Sequence, residues 1–270
     1  MDIKRRKFIG KTGGVALTGL LATIFGSTLS AHPGGAKWGN RPNGNSDLDD
    51  LKHLLNRKEA NIWLFTGDSI THGAKHTHGY RSYPEVFQER IRWEIGRVRD
   101  VVINTGISGH AAENILSDFE WRISQFNPDV VSVMIGTNDC ARTGMTPGQY
   151  RNHVTELIAR IRSSGAIPIL HTPNVIILEK SPERKTLPEY IPVLREIAED
   201  EDVVLVDNYA YWQQKSREQS VEYVYKNWLN DPLHPNQSGH QEIARLMFKT
   251  LDIFDPAAPT CGGPYYEGEH

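Results

Sequence analysis

Five short apolar runs, at 62–65, 101–103, 130–135, 167–171 and 203–206, recur along the chain with longer segments of helical spacing between them. Together the runs are rich in β-branched residues and mostly apolar at successive rather than alternate positions, the pattern of strands covered on both faces. The intervening segments, 83–95, 112–124, 146–163, 187–199 and 238–251, have the length and periodicity of crossover helices. Strand, helix and strand in this succession favour parallel pairing with right-handed crossovers. The expected fold is therefore α/β, a three-layer α/β/α arrangement around an open, flavodoxin-like parallel sheet of five strands. In such sheets ligands bind outside the carboxyl ends of the strands, so residues directly after each run are the first candidates for chemistry.

The chain of 270 residues is long enough for one domain with a large core. Its N-terminus is of another kind. Lys4-Arg5-Arg6-Lys7 precedes a mildly apolar stretch at 15–29, rich in Gly, Thr and Ala, which looks like a bacterial twin-arginine export signal. A basic amphipathic helix and a retained membrane anchor are the other readings, although the stretch is shorter than the ~20 residues a spanning helix needs. Cleavage after Ser30 or Ala31 makes 1–31 the signal, and 32–50, with its Gly, Pro, Asn and Ser, a flexible linker. The main domain is then 51–255, followed by an irregular tail at 256–270. Losing 1–31 removes Lys4, Arg5, Arg6, Lys7 and Lys11 against one acid, Asp2, so the remainder is more acidic than the net −3 of the whole chain. That balance argues against nucleic acid or an anionic membrane as partner. The expected location is periplasmic or extracellular, with the twin-arginine translocase as partner during export and no stable membrane span after processing. Cys140 and Cys261 are too few for a disulfide scaffold, and the sequence leaves open whether they pair.

Four stretches stand at strand ends or in loops. They are Gly67-Asp68-Ser69-Ile70-Thr71, Asn104-Thr105-Gly106-Ile107-Ser108-Gly109, Gly136-Thr137-Asn138-Asp139 and Asp231-Pro232-Leu233-His234-Pro235. In type, order and position they resemble the blocks of the SGNH (GDSL-type) hydrolases over about 62–251. The resemblance implies an ester hydrolase with Ser69 as nucleophile, His234 as its base and Asp231 as the residue that orients His234. These residue types suit the chemistry. A serine hydroxyl needs an adjacent base to attack a carbonyl, an imidazole titrates near ~6.5, and a carboxylate on its far nitrogen fixes the tautomer. The resemblance also implies an oxyanion hole from the backbone N–H groups of Ser69 and Gly109 and the amide of Asn138, each donor worth about 3 kcal/mol. Gly109 ends the Asn-x-x-x-Ser-Gly stretch, which leaves Gly106 for a tight turn. Thr71 stands where a nucleophile elbow would have its second glycine, so an α/β-hydrolase fold is disfavoured. No cofactor is implied.

The remaining candidates are substrate contacts. His72, Arg81, His110 and Trp228 flank the blocks, His110 standing where many relatives carry Asp. His72, His76 and His78 form a run that invites a metal reading, but no nearby Cys or carboxylate completes the set; pocket lining and a solvated loop are the other readings. Asp68 and Asp139 read as acceptors of loop hydrogen bonds, and His240 as a packed or exposed residue. The sequence lacks a long apolar lid, and a polar loop after Ser69 tilts the expected substrate towards a small ester or an acetylated carbohydrate. Lipolytic or lysophospholipase-like activity, a metal-dependent phosphoesterase using Asp68, Asn138, Asp231 and His234, and a non-catalytic carbohydrate-binding protein are the alternatives.

Overall fold

A computed structural model describes residues 46–73 and 75–265. The expected signal at 1–31 and most of the linker lie outside these residues. Five strands form one parallel sheet: β1 (Ile62–Gly67), β2 (Val101–Asn104), β3 (Val130–Met134), β4 (Ile167–His171) and β5 (Val204–Val206), in the order β2-β1-β3-β4-β5. This is the flavodoxin-like order expected. β1 lies inside the sheet, pairing with β2 from Ile62↔Val101 to Phe65↔Asn104 and with β3 from Trp63↔Val130 to Gly67↔Met134. Every residue of β3 and β4 is buried, whereas the edge strand β2 is exposed at both ends.

Side chains of successive residues leave a strand on opposite faces, so each strand feeds two cores. Trp63 and Phe65 join Val130, Ile167 and Ile169 on one face, and Leu64 joins Val131, Val133 and Leu170 on the other. The first face is covered by α1 (Asp47–Asn56), α3 (Tyr83–Glu89) and α10 (Gln237–Thr250), through Leu51, Phe87 and Phe248. The second is covered by α4 (Ala112–Ser117), α6 (Pro147–Ser163) and α7 (Leu187–Asp200), through Ile115, Leu157 and Leu194. Burying large apolar groups such as these contributes about 1.5–3 kcal/mol each.

Several elements differ from the sequence expectation. α1 begins inside the segment read as linker, because Ser46 caps it by accepting from the Asp49 N–H and three acids occupy its favourable first turn. The helix expected over 112–124 is broken at Asp118, after which a short α5 (Phe119–Arg122) turns Arg122 into the interior. The segment 83–95 ends in a π-helical turn, Arg90–Glu94, where Arg90 donates to the Ile253 carbonyl. Two unanticipated helices, α8 (Asn208–Glu218) and α9 (Val221–Trp228), follow β5, capped by Asp207 and Ser220. The described part of the tail, 256–265, is irregular apart from one 3-10 turn, Pro259–Cys261, yet it packs: Thr260 donates from its backbone to Glu94 and is buried. Cys140 and Cys261 are both free and buried. Among the described residues no helix is long and apolar enough to cross a membrane.

Candidate active site

β1 ends under a single helical turn, α2 (Ser69–His72), which fixes where Ser69 stands. A side chain at Gly67 would put Cβ 2.3 Å from the Met134 carbonyl oxygen and 2.4 Å from Thr71 Oγ1, so only glycine lets strand and turn approach this closely. Asp68 caps the turn, its Oδ1 accepting from the Ile70 N–H at 2.9 Å. Its other carboxylate oxygen is buried without a partner, and burial pushes its pKa up to about 7. Ser69 opens the helix, so its own N–H is one of the donors a helix start leaves without an intrahelical acceptor.

His234 comes to Ser69 from the other end of the chain. Its Nε2 lies 2.9 Å from Ser69 Oγ, and its Nδ1 lies 2.8 and 3.0 Å from the two carboxylate oxygens of Asp231. A carboxylate only accepts, so Nδ1 carries the hydrogen and the Nε2 lone pair faces the serine hydroxyl. Asp231 Oδ1 also accepts from the backbone N–H groups of Leu233 and His234, both at 2.8 Å, which shapes the turn that presents both side chains. A bridge between Leu229 and Pro235 closes that turn, and the Ile177 N–H donating to the Pro232 carbonyl at 2.8 Å braces it. Burial draws His234 below the ordinary histidine range, opposed by the Asp231 carboxylate. For Asp231 burial pushes upward, but the two backbone donors and the imidazole outweigh it and the net shift is downward.

Gly109 and Asn138 stand after β2 and β3. Gly109 has φ +81°, and nothing lies within 4 Å of where a Cβ would be, so the backbone conformation rather than crowding asks for glycine. Gly106 serves a close approach rather than the expected tight turn: a Cβ there would lie 2.5 Å from the His72 backbone nitrogen. Asn138 donates from Nδ2 to the His110 carbonyl at 3.0 Å and accepts at Oδ1 from Arg184 Nη2 at 3.1 Å. With the amide held from both ends, its second amide hydrogen remains for a bound oxygen. Arg184, in the loop after β4, also donates to the Thr137 carbonyl at 3.1 Å. Asp139 accepts from the Ala112 N–H at 2.9 Å, in keeping with its expected loop role.

The expected substrate contacts fare differently. His72 is exposed and its Nδ1 lies 3.1 Å from Ser108 Oγ, next to Gly109. His110 Nδ1 lies 3.1 Å from Arg122 Nη1; arginine only donates, so the His110 proton sits on Nε2. Arg122 itself is fully buried, its Nη2 donating to Thr66 Oγ1 and to the Gly67 and Thr105 carbonyls, each at 2.9 Å. It thereby ties the ends of β1 and β2 together beneath the site. Arg81 is instead paired with Glu89 and donates to the Tyr265 hydroxyl at 2.8 Å, so its charge is committed away from the Ser69–His234 pair. Trp228 belongs to the core: it is buried and packs on Tyr211 and Trp212, because α9 turns it inward behind the Asp231 turn. His240 is likewise buried, its Nδ1 facing the Tyr83 N–H at 3.3 Å.

The histidines after Ser69 do not converge on one another. His72 meets Ser108, His78 meets the side-chain amide of Asn230 at 3.1 Å, and His76 lies flat on His234, ring centroids 3.4 Å apart and planes 7° from parallel. His76 Nδ1 is also 3.6 Å from Asp231 Oδ2. His76, Asp231 and His234 are the cluster of possible metal ligands found among the described residues. An imidazole binds a metal in its own ring plane at ~2.0–2.1 Å, and two parallel rings this close cannot both point in-plane lone pairs at one ion. As folded, Ser69 Oγ, the His234 ring and the Asp231 carboxylate form one hydrogen-bonded line, with His76 stacked on its middle member. Arg184, Arg122 and the stacking role of His76 were missed in the sequence; of these only His76 carried a signal, as part of the histidine run.

The family described as GDSL-like Lipase/Acylhydrolase matches residues 65–242. An acetylxylan esterase of Geobacillus stearothermophilus is 28% identical over 207 residues, covering 70% of this chain and 92% of that protein. An uncharacterized protein of Mycoplasma pneumoniae is 38% identical over 109 residues; these cover 39% of this chain, which spans only 12% of that protein's length. A solved structure of an acetylxylan esterase from Geobacillus stearothermophilus matches with a TM-score of 0.59 and 23% identity, over 71% of this chain and 94% of that one, a likeness of fold.

Proposed function

This chain belongs to the GDSL-like lipase/acylhydrolase family, and on that premise we propose that it is a serine esterase that cleaves carboxylic esters through an acyl-enzyme. The observation that carries the reading is the continuous line from Ser69 Oγ through the His234 imidazole to the Asp231 carboxylate, 2.9 and 2.8 Å long at its two contacts. Ser69 Oγ attacks the ester carbonyl while His234 Nε2 takes its proton. The negative charge that develops on the carbonyl oxygen is met by the Ser69 and Gly109 N–H groups and by Asn138 Nδ2. Collapse breaks the bond to the alcohol, which leaves with the proton from His234. Water then attacks the acyl-enzyme, with His234 accepting its proton, and releases the acid and Ser69.

The substrate reading is an acetylated carbohydrate. A cavity of about 220 Å³ beside His76 is lined by His78, Tyr80, Asn230, Gln237 and Ser238 among others, groups that hydrogen-bond to hydroxyls better than they solvate a fatty chain. The acetylxylan esterase among the relatives supports the same choice. Export through the twin-arginine route, supported by Arg5, Arg6 and the composition of 15–29, would bring the enzyme to polymeric sugars outside the cell.

A serine-directed phosphonate is expected to label Ser69, and Ser69→Ala to abolish turnover of p-nitrophenyl acetate. Labelling elsewhere, or an active Ser69→Ala variant, would refute the serine mechanism. Release of acetate from acetylated xylo-oligosaccharides in preference to long-chain esters is expected; the reverse preference would favour a lipolytic role.

A further inference from the structure

We propose that His76 is a positioning residue for acyl transfer, its imidazole lying flat on one face of the His234 ring and beside Asp231 so that His234 stays in line with Ser69. The proposal rests on reading Ser69, His234 and Asp231 as the reacting set.

Asp231 holds only one edge of the His234 ring, at Nδ1. Bonds at one edge resist sliding but leave the ring free to tilt, and tilting moves Nε2 away from Ser69 Oγ. A second ring at 3.4 Å and 7° removes that freedom on one side. At 3.6 Å the approach of His76 Nδ1 to Asp231 Oδ2 is too long for a hydrogen bond, so the contact is stacking and electrostatics.

The loop is built to hold this ring in place. Lys75 and His78, on either side of His76, both have left-handed backbones, φ 63° and 52°, which non-glycine residues adopt only when the surroundings impose it. Asn230, the residue before Asp231, also holds this loop. Its Nδ2 donates to the His76 carbonyl at 3.0 Å and meets His78 Nε2 at 3.1 Å, while its backbone N–H donates to the His234 carbonyl at 2.8 Å. One asparagine thus ties the loop after Ser69 to the turn that carries the base.

The groups that bear on the charge of His76 are His234, Asp231, Lys75 and His78. Burial first, and then the nearby His234, draw its pKa below the usual histidine value, with the Asp231 carboxylate opposing. A neutral aromatic face can stack on the imidazolium formed in the reaction, whereas a second cation would repel it.

The test compares His76→Ala and His76→Phe with the unaltered enzyme on p-nitrophenyl acetate. His76→Ala is expected to lower kcat by on the order of ten- to a hundredfold, the scale of a misplaced catalytic group, with KM little changed. The acid limb of kcat/KM should move to higher pH as water regains the uncovered face of His234. His76→Phe, which keeps a flat ring, should recover most of kcat. An Ala variant with unchanged kcat and acid limb would overturn the proposal, as would a Phe variant no better than Ala with both losing activity in step with their thermal midpoints. An active Ser69→Ala variant would take down the underlying mechanism as well; an inert Ser69→Ala beside an unaffected His76→Ala would remove only the role of His76.

Discussion

Asn138 illustrates how one side chain depends on another far away in sequence. An amide can be turned either way round, and Arg184 donating to Oδ1 and His110 accepting from Nδ2 settle the choice, which leaves the second amide hydrogen for an oxyanion. Removing the amide in Asn138→Ala should lower kcat by about 10²–10³. Arg184→Met, which keeps the donor but frees its orientation, should cost less, with KM for a small ester nearly constant; steady-state kinetics of the two variants would check the order. The proposed base makes a second prediction. His234 must be neutral to accept a proton, so kcat/KM rises with pH through its pKa. Burial draws that pKa below the ordinary histidine value of about 6.5, and activity should therefore persist to more acid pH than a free imidazole would allow. A pH–rate profile with its acid limb above 6.5 would contradict this. Ser69, Asn138, Asp231 and His234 could be singled out in the sequence because each sits in a compact block that resembles one of the family's four. Arg184 and Arg122 could not, because an arginine in a helix-spaced or irregular segment looks like any solvated residue until the fold buries it.

The turn carrying His234 is held from behind by α10. Gly239 lies against this turn so closely that a Cβ would come within 2.2 Å of the Trp228 carbonyl oxygen and 2.9 Å of Pro235 Cβ. Gly239→Ala should therefore destabilise the fold by about 1–3 kcal/mol through overpacking. Because the strain falls on the turn itself, kcat should drop even at temperatures where the variant remains folded. Thermal melts together with kinetics would separate the two effects, and an unchanged melting midpoint would refute the packing argument. The strands and the three long helices α6, α7 and α10 were legible in the sequence, because their apolar periodicity is strong. The break at Asp118 and the helices α8 and α9 were not. α8 is largely polar, and what sets these elements is capping by Asp207 and Ser220 and the inward reach of Arg122.

The sheet order β2-β1-β3-β4-β5 reverses direction between β1 and β3. Helices after these two strands lie on opposite faces there, which opens a crevice at the carboxyl ends. Ser69 follows β1 and Asn138 follows β3, so the proposed nucleophile and one oxyanion donor flank that crevice, while the turn after α9 brings His234 into it. A partner for Ser69 that is 165 residues away is thus supplied by the return of the chain, not by local order. The proposed export depends on residues 1–31. Fusing residues 1–31 to a folded reporter should direct it out of a bacterial cytoplasm, and replacing Arg5 and Arg6 with lysine should retain it inside; cell fractionation would check both, and export unaffected by the replacement would refute the twin-arginine route.

The amino-acid order was enough to place five strands, the open parallel sheet and the four blocks of the site, since strand burial and turn formation act through neighbours a few residues apart and the blocks resemble those of a known family. It could not say which of three histidines after Ser69 stacks on His234, which arginine bonds to Asn138, or that Trp228 faces the core. Those are decided by distances between segments that meet only after folding, where a 3.4 Å ring stack or a buried guanidinium gains its energy from contacts that local sequence does not encode.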